Sequence, residues 1–196
     1  GYAVQVIETL EQQKYYLAFR TDDQTYYDVI AAVEVLKADG TFDNLIRKWF
    51  GKEIVDFTEN INACDEWEVY PGRIFRIGVD INAFPNAYIY EGTTWGFDIE
   101  CAMMLCEKVG WTLEVIPIEK EDVYTQLASG NIDCAWGGIA ISDELLKSGT
   151  IATYGPYMTN DIVIVTRSNS KIWNRSKLKG RTIAFNFTDE NLAALD

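Results

Sequence analysis

The segment from Arg73 to Tyr157 constrains this chain more than any other, because its hydrophobic period switches repeatedly between that of a strand and that of a helix. Ile74-Phe-Arg-Ile-Gly-Val-Asp80 reads as a strand, and Ile99, Ala102, Met103, Leu105, Cys106 and Val109 then recur at helical spacing. A second strand follows over Thr112 to Ile116, a second helix closes in Leu127-Ala-Ser-Gly-Asn-Ile-Asp133, and a third strand ends at Gly137-Gly138. Strand-helix units of this kind pack as a mostly parallel sheet with helices on its faces. The functional crevice of such a sheet lies outside the carboxyl ends of its strands, which here are Asp80 to Tyr88 and Trp136 to Ser142.

With 196 residues, 48% of them hydrophobic, the chain can bury a core as one large domain or two small lobes. Seventeen basic residues against thirty acidic ones give a formal charge of -13, spread along the chain. A surface of that sign repels phosphate, which excludes nucleic acid as a partner and removes attraction to anionic lipid. No apolar run approaches the roughly 20 residues of a membrane span, and Gly1-Tyr-Ala-Val-Gln5 is not a signal peptide, so the chain reads as soluble with any targeting sequence outside it. Histidine is absent, which removes the commonest general base and most metal sites. No metal, no cofactor and no catalysis are expected. Cys101 and Cys106 point to different faces of one helix, and Cys134 reads as a small buried thiol in an apolar strand. The pairing of Cys64 stays open.

Outside the central segment, Val4, Ile7 and Leu10 recur at three-residue spacing and predict a helix over residues 1–14. Tyr15 to Arg20 reads as a strand, and Thr21-Asp-Asp23 opens a helix over about Gln24 to Ala38 with its stripe at Tyr27, Ile30, Ala31, Val33 and Leu36. Asp39-Gly40 stops it, and a short helix over Phe42 to Trp49 ends at Gly51. Residues 52–72 lose periodicity, scatter acidic side chains and end in Pro71-Gly72, which is the pattern of a connector. Asp161 to Thr166 is an apolar strand, Trp173 to Lys179 a helical turn, and Gly180 to Phe185 a last strand leading to a helix that starts near Thr188.

Six motifs stand in one register: Phe75-Arg-Ile-Gly-Val-Asp80, Trp95-Gly-Phe-Asp-Ile-Glu100, Leu127-Ala-Ser-Gly-Asn-Ile-Asp133, Gly138-Ile-Ala-Ile-Ser-Asp-Glu144, Gly155-Pro-Tyr157 and Gly180-Arg-Thr-Ile-Ala184. In order and spacing they resemble the extracytoplasmic (periplasmic) solute-binding proteins of polar amino-acid ABC transporters, the family 3 type. Tyr15 to Gly51, with Leu36-Lys-Ala-Asp-Gly-Thr41 and Lys48-Trp-Phe-Gly51, resembles the final strand and helices of the same family. The resemblance implies two α/β lobes joined by two crossing strands, hinge closure on a small polar solute, an ABC permease as membrane partner and a location outside the cytoplasm. The order is reversed: the block that ends such proteins comes first. The expected organisation is residues 1–14 as an edge of the second lobe, 15–51 as the terminal strand and helices of the main lobe, 52–72 as connector, 73–160 as the rest of the main lobe, and 161–196 as a crossing strand with part of the second lobe. A piece of a tandem protein and a circular permutant both account for this; the long irregular connector favours the tandem origin.

Carried over position by position, the resemblance makes the site look degenerate. The arginine that holds a ligand carboxylate in the family falls on Leu145, the hydroxyl two residues before Ser142 on Ala140, the stacking aromatic on Ala83 or Phe84, and a second aromatic wall near Lys120. The carboxylate that receives the ligand ammonium is expected in a part of the second lobe that this chain lacks. The candidate ligand-binding residues are Asp80, Phe84, Tyr88, Gly138, Ala140, Ser142 and Thr188. Each has a structural alternative: Asp80 caps a turn, Phe84 anchors a loop, Gly137-Gly138 is a simple turn, and Ser142 starts a helix. Trp95 and Phe97 read as packing residues, and Asp98 with Glu100 as a pair at a helix start. Alternatives to transport are a sensory module of a membrane kinase or cyclase and, third, an enzyme on the same fold. Open strand edges predict a homodimer through exchanged or edge elements.

Overall fold

A computed structural model describes residues 3–51 and 69–184; Cys64, Thr188 and most of the connector lie outside them. The elements are β1 (Val4–Arg20), α1 (Gln24–Ala38), α2 (Thr41–Phe50), β2 (Ile74–Val79), β3 (Asn82–Ala83), β4 (Ala87–Tyr90), β5 (Thr93–Trp95), α3 (Phe97–Val109), β6 (Thr112–Pro117), α4 (Val123–Ser129), β7 (Cys134–Ala135), α5 (Asp143–Ser148) and β8 (Ile151–Arg167). Short 3-10 turns precede α4 and cover Arg175–Leu178.

Five strands form one sheet in the order β6-β2-β7-β1-β8. β6 and β2 are parallel from Ile74 opposite Thr112 to Val79 opposite Pro117, and β7 continues in parallel with Ile77 opposite Cys134. β1 enters antiparallel, with Ala18 opposite Ala135. The parallel core follows from the crossovers through α3 and α4, which start each strand from the same end of the sheet, β6 on one side of β2 and β7 on the other. Strands β3, β4 and β5 make a small antiparallel sheet.

Period-two alternation sorts the strand side chains onto two faces. Leu17, Phe19, Phe75, Ile77, Val79, Cys134 and Trp136 are buried with α1, α2 and α3 on one side. Ala18 and Ala135 join Val123, Leu127, Ile132, Ile139 and Ile141 on the other. The helices of residues 24–50 thus pack on the sheet begun at Ile74, and Phe50 meets Phe97 edge-on at 5.1 Å. The stop at Asp39-Gly40 also starts α2: Asp39 Oδ1 accepts from Thr41 N at 3.0 Å. At the amino end of the parallel strands, Asp133 gathers three guanidinium groups, Arg20 (3.3 Å), Arg76 (3.7 Å) and Arg73 (3.8 Å), while its Oδ2 accepts from Arg76 N at 2.9 Å.

Contacts divide the chain into two units, Lys14–Thr159 and a smaller one of Gly1–Gln13 with Asn160–Asp196. In the smaller unit Gln5 Nε2 donates to Thr166 Oγ1 and to Ile172 O, both at 3.2 Å, and Ser168 N donates to Ala3 O. Here the structure corrects the helix predicted over residues 1–14: residues from Val4 onward are strand, continuous with the Tyr15–Arg20 segment. The spacing of Val4, Ile7 and Leu10 fits a helix, but β-branched Val4, Val6, Ile7 and Thr9 favour extended backbone, and a facing strand decided the outcome. The strand expected from Gly180 is not formed over residues 181–184 either. Asp161–Thr166 proves to be the end of one long strand, β8.

Candidate functional site

The parallel register brings the ends of β2 and β7 side by side, so the residues that follow them form a common rim. Asp80 N donates to Gly137 O at 2.9 Å. Gly138 takes φ +68°, and a Cβ built on it would lie 2.2 Å from Ala83 Cβ, so the loops 80–88 and 137–142 touch through a position only glycine fills comfortably. Phe84 stands out from this rim at 74% exposure and meets Tyr88 edge-on at 5.1 Å; Tyr88 in turn meets Trp49 of α2 at 6.5 Å. Local spacing holds no sign of Trp49 in this aromatic row, because Trp49 lies far off in the chain.

Asp80, Phe84, Tyr88 and Gly138 are therefore brought together. Asp80 is half-buried and its Oδ1 accepts from Asn82 N at 2.8 Å, which is the turn-capping geometry. Ala140 bridges to Tyr15 of β1, and Ser142 is the N-cap of α5, its Oγ accepting from Leu145 N at 3.2 Å. Leu145 is half-buried against the apolar cluster of α4. Thr188 lies outside the described residues.

Beneath the rim sits a group with a role beyond the one expected of it. Asp98 and Glu100 do lie in the first turn of α3, but no side chain caps that helix. Glu100 pairs with Lys48 (2.6 Å) and accepts from Trp49 Nε1 (2.9 Å). Asp98 is fully buried, and its Oδ2 accepts from Gly138 N (2.8 Å), Tyr157 OH (2.8 Å) and Asn86 Nδ2 (3.0 Å). Oδ1 and Trp136 Nε1 are both buried without a well-formed hydrogen bond among the described residues, and the indole favours the charged carboxyl. Burial pushes Asp98 up to about 6 against the hydrogen bonds that pull it down. The available signal was its place in the stripe Asp98, Cys101, Ala102, Leu105, where an acid among core positions needs buried donors.

Trp95 is also partly exposed at 42%, whereas Phe97 is buried as expected. Cys101, Cys106 and Cys134 are free and buried, and burial pushes each thiol up, Cys106 to about 12. Among the described residues no cluster of three metal-ligating side chains occurs, and no helix is long and apolar enough to cross a membrane.

A mixed, mostly parallel sheet with helices on its faces and a rim of short loops at its strand ends defines an α/β lobe of the periplasmic-binding-protein type. Residues 75–195 match the family described as bacterial extracellular solute-binding proteins, family 3, and the chain belongs to that family. It is 26% identical over 142 residues to the probable amino-acid-binding protein YxeM of Bacillus subtilis (strain 168), covering 71% of this chain and 53% of that protein. It is 31% identical over 107 residues to the arginine-binding extracellular protein ArtP of the same organism, covering 55% of this chain and 41% of that one. The chain thus spans about half the length of the curated relatives it matches. Among solved structures, a polar amino acid ABC uptake transporter substrate binding protein from Streptococcus thermophilus is 32% identical over 38% of this chain and 29% of that chain, with a TM-score of 0.36.

Proposed function

We propose that this chain is part of an extracytoplasmic solute-binding protein of an amino-acid-type ABC transporter, taking a small polar solute at the rim of Asp80, Phe84, Tyr88, Gly138, Ala140 and Ser142, with Thr188 as a further candidate contact. Residues 15–51 and 73–160 are the main lobe, 52–72 the connector, and 1–14 with 161–196 the crossing strands and edges of the second lobe. Hinge closure on the solute presents a closed form to a membrane permease. The observation that carries this reading is the convergence of loops 80–88 and 137–142 at the carboxyl ends of parallel strands, in a chain of this family. The role is binding rather than catalysis, in keeping with a sequence that has no histidine.

The site is degenerate for amino acids because Leu145 stands where a guanidinium fork would meet the ligand carboxylate. Calorimetry of the chain and of Leu145→Arg against the twenty amino acids, arginine included, tests both statements. The unmodified chain binds none more tightly than about millimolar, and the arginine variant gains at least about tenfold for one or more of them, the worth of roughly 1.4 kcal/mol from a charge-assisted pair. Micromolar binding by the unmodified chain refutes the degenerate site, and no gain in the variant for any amino acid refutes the carboxylate position. Exposed apolar side chains in the smaller unit, Val4, Val6, Val165 and Trp173, favour self-association as a homodimer. Light scattering that shows monomer at every concentration overturns that part.

A further inference from the structure

Two short loops form the rim, and a binding site on loops is only as precise as what holds them. The inference here deepens the function proposed above and rests on it for the statement that these loops face a ligand. Loop 80–88 and loop 137–142 are far apart in sequence and belong to different strands, yet one buried atom serves both. Asn86 Nδ2 comes from the first loop, Gly138 N from the second and Tyr157 OH from β8, and all three donate to Asp98 Oδ2 within 3.0 Å. The backbone of the same helix start reinforces the hold on the first loop: Phe97 N donates to Pro85 O at 2.9 Å and Asp98 N to Asn86 O at 3.1 Å. Gly96 lets the helix come this close, since a Cβ there would lie 2.0 Å from Asn86 O.

We propose that Asp98 is the positioning residue of the rim: a single carboxylate oxygen fixes the Gly138 amide against the Asn86 carboxamide, so that both ligand-facing loops are set as one piece before any ligand arrives. Hydrogen bonds to an ionised acceptor are roughly twice as strong as neutral ones, and fixing a loop in advance reduces the ordering cost of binding. A carboxyl needed only for packing would be served by any isosteric apolar side chain; this one spends the acceptor capacity of Oδ2 on the rim.

Two groups in contact with it, Cys101 and Tyr157, stay neutral across its titration. On its own helix Cys101 is pushed well above the ordinary thiol range by burial and then by the charges of Asp98 and Glu100; Glu100 faces Lys48 at 2.6 Å. From β8, Tyr157 is pushed well above the usual phenol range, by burial first, then by Asp98, with Cys101 and Tyr15 of β1 adding to it. Both therefore stay neutral while Asp98 changes charge.

The test is proton-nitrogen NMR of the whole chain between about pH 4 and pH 8, bracketing the carboxyl at about 6. The Gly138 backbone amide and the Asn86 side-chain amide protons shift with one common midpoint, and Asp98→Asn abolishes both titrations. In that variant the Gly138 amide exchanges at least about tenfold faster while the Ile77 amide in β2 changes by less than about threefold, as expected of a local opening. Absent or separate midpoints in the wild type, or equal acceleration through β2, overturn the assignment. If Asp98→Asn does not fold, the wild-type titration decides alone. No step uses an amino-acid ligand, so a calorimetric failure of the proposed site, no gain in Leu145→Arg for any amino acid, leaves this titration standing, and the reverse holds.

Discussion

Replacing Gly138 by alanine tests the contact that joins the two rim loops. The backbone at Gly138 has φ +68°, which costs an L-residue about 1–2 kcal/mol. The added methyl would lie 2.2 Å from Ala83 Cβ, where two carbons prefer about 3.5–4.0 Å. The loops must part by more than an ångström, and overfilling of this kind costs about 1–3 kcal/mol. Gly138→Ala should therefore destabilise the main unit by about 2–5 kcal/mol, a fall of roughly 4–20 °C in Tm for a chain of this size. Ala83→Gly alone, in the short strand β3, should cost only about 0.5–1 kcal/mol. In the double variant the nearest remaining neighbours are Asn86 Cβ at 3.3 Å and Ala83 O at 3.5 Å, so the steric part disappears and the backbone part stays. Urea denaturation of all four proteins, followed by tryptophan fluorescence, should give a coupling of about 1–3 kcal/mol in favour of the double variant. A single-variant cost below about 1 kcal/mol, or strict additivity, refutes the contact.

Asp98→Asn should change the pH dependence of stability. The folded carboxyl is raised from 3.8 to about 6, so its contribution is full below the unfolded value and is lost as pH rises through 6. Wild type should lose about 2–3 kcal/mol relative to the variant between about pH 4 and pH 7; parallel denaturation curves would sink the argument. Asp133→Ala should cost about 2–3 kcal/mol, because Arg76 N loses its acceptor and three guanidinium groups lose an ion-pair partner, while Asp133→Asn should cost about half, since its amide oxygen still accepts from Arg76 N. Equal losses in the two would show that charge alone matters there. Ser142→Ala should weaken the start of α5 by about 1 kcal/mol, read as faster exchange of the Leu145 amide that Ser142 Oγ now accepts from; unchanged exchange would remove its capping role.

The parallel part of the sheet was legible because its signal is local. Ile74–Val79, the α3 stripe and Thr112–Pro117 each carry their period within a few residues, and right-handed crossovers leave little choice of arrangement. The rim position followed from that topology. Residues 4–14 were misread because a three-residue spacing of Val4, Ile7 and Leu10 fits either state when the facing strand, 150 residues away, is unknown.

Sequence by itself determined the fold class, the family and the location of the strand ends, all of which depend on short-range period and on the order of motifs. Tertiary structure alone decided that Asp98, an acid of the first turn of α3, is also a buried tether, and that Trp49 joins the row of Phe84 and Tyr88. The reason is physical: a carboxylate buried in a core is tolerable only where donors from distant segments converge on it, and convergence across 12, 40 and 59 residues has no trace in local spacing.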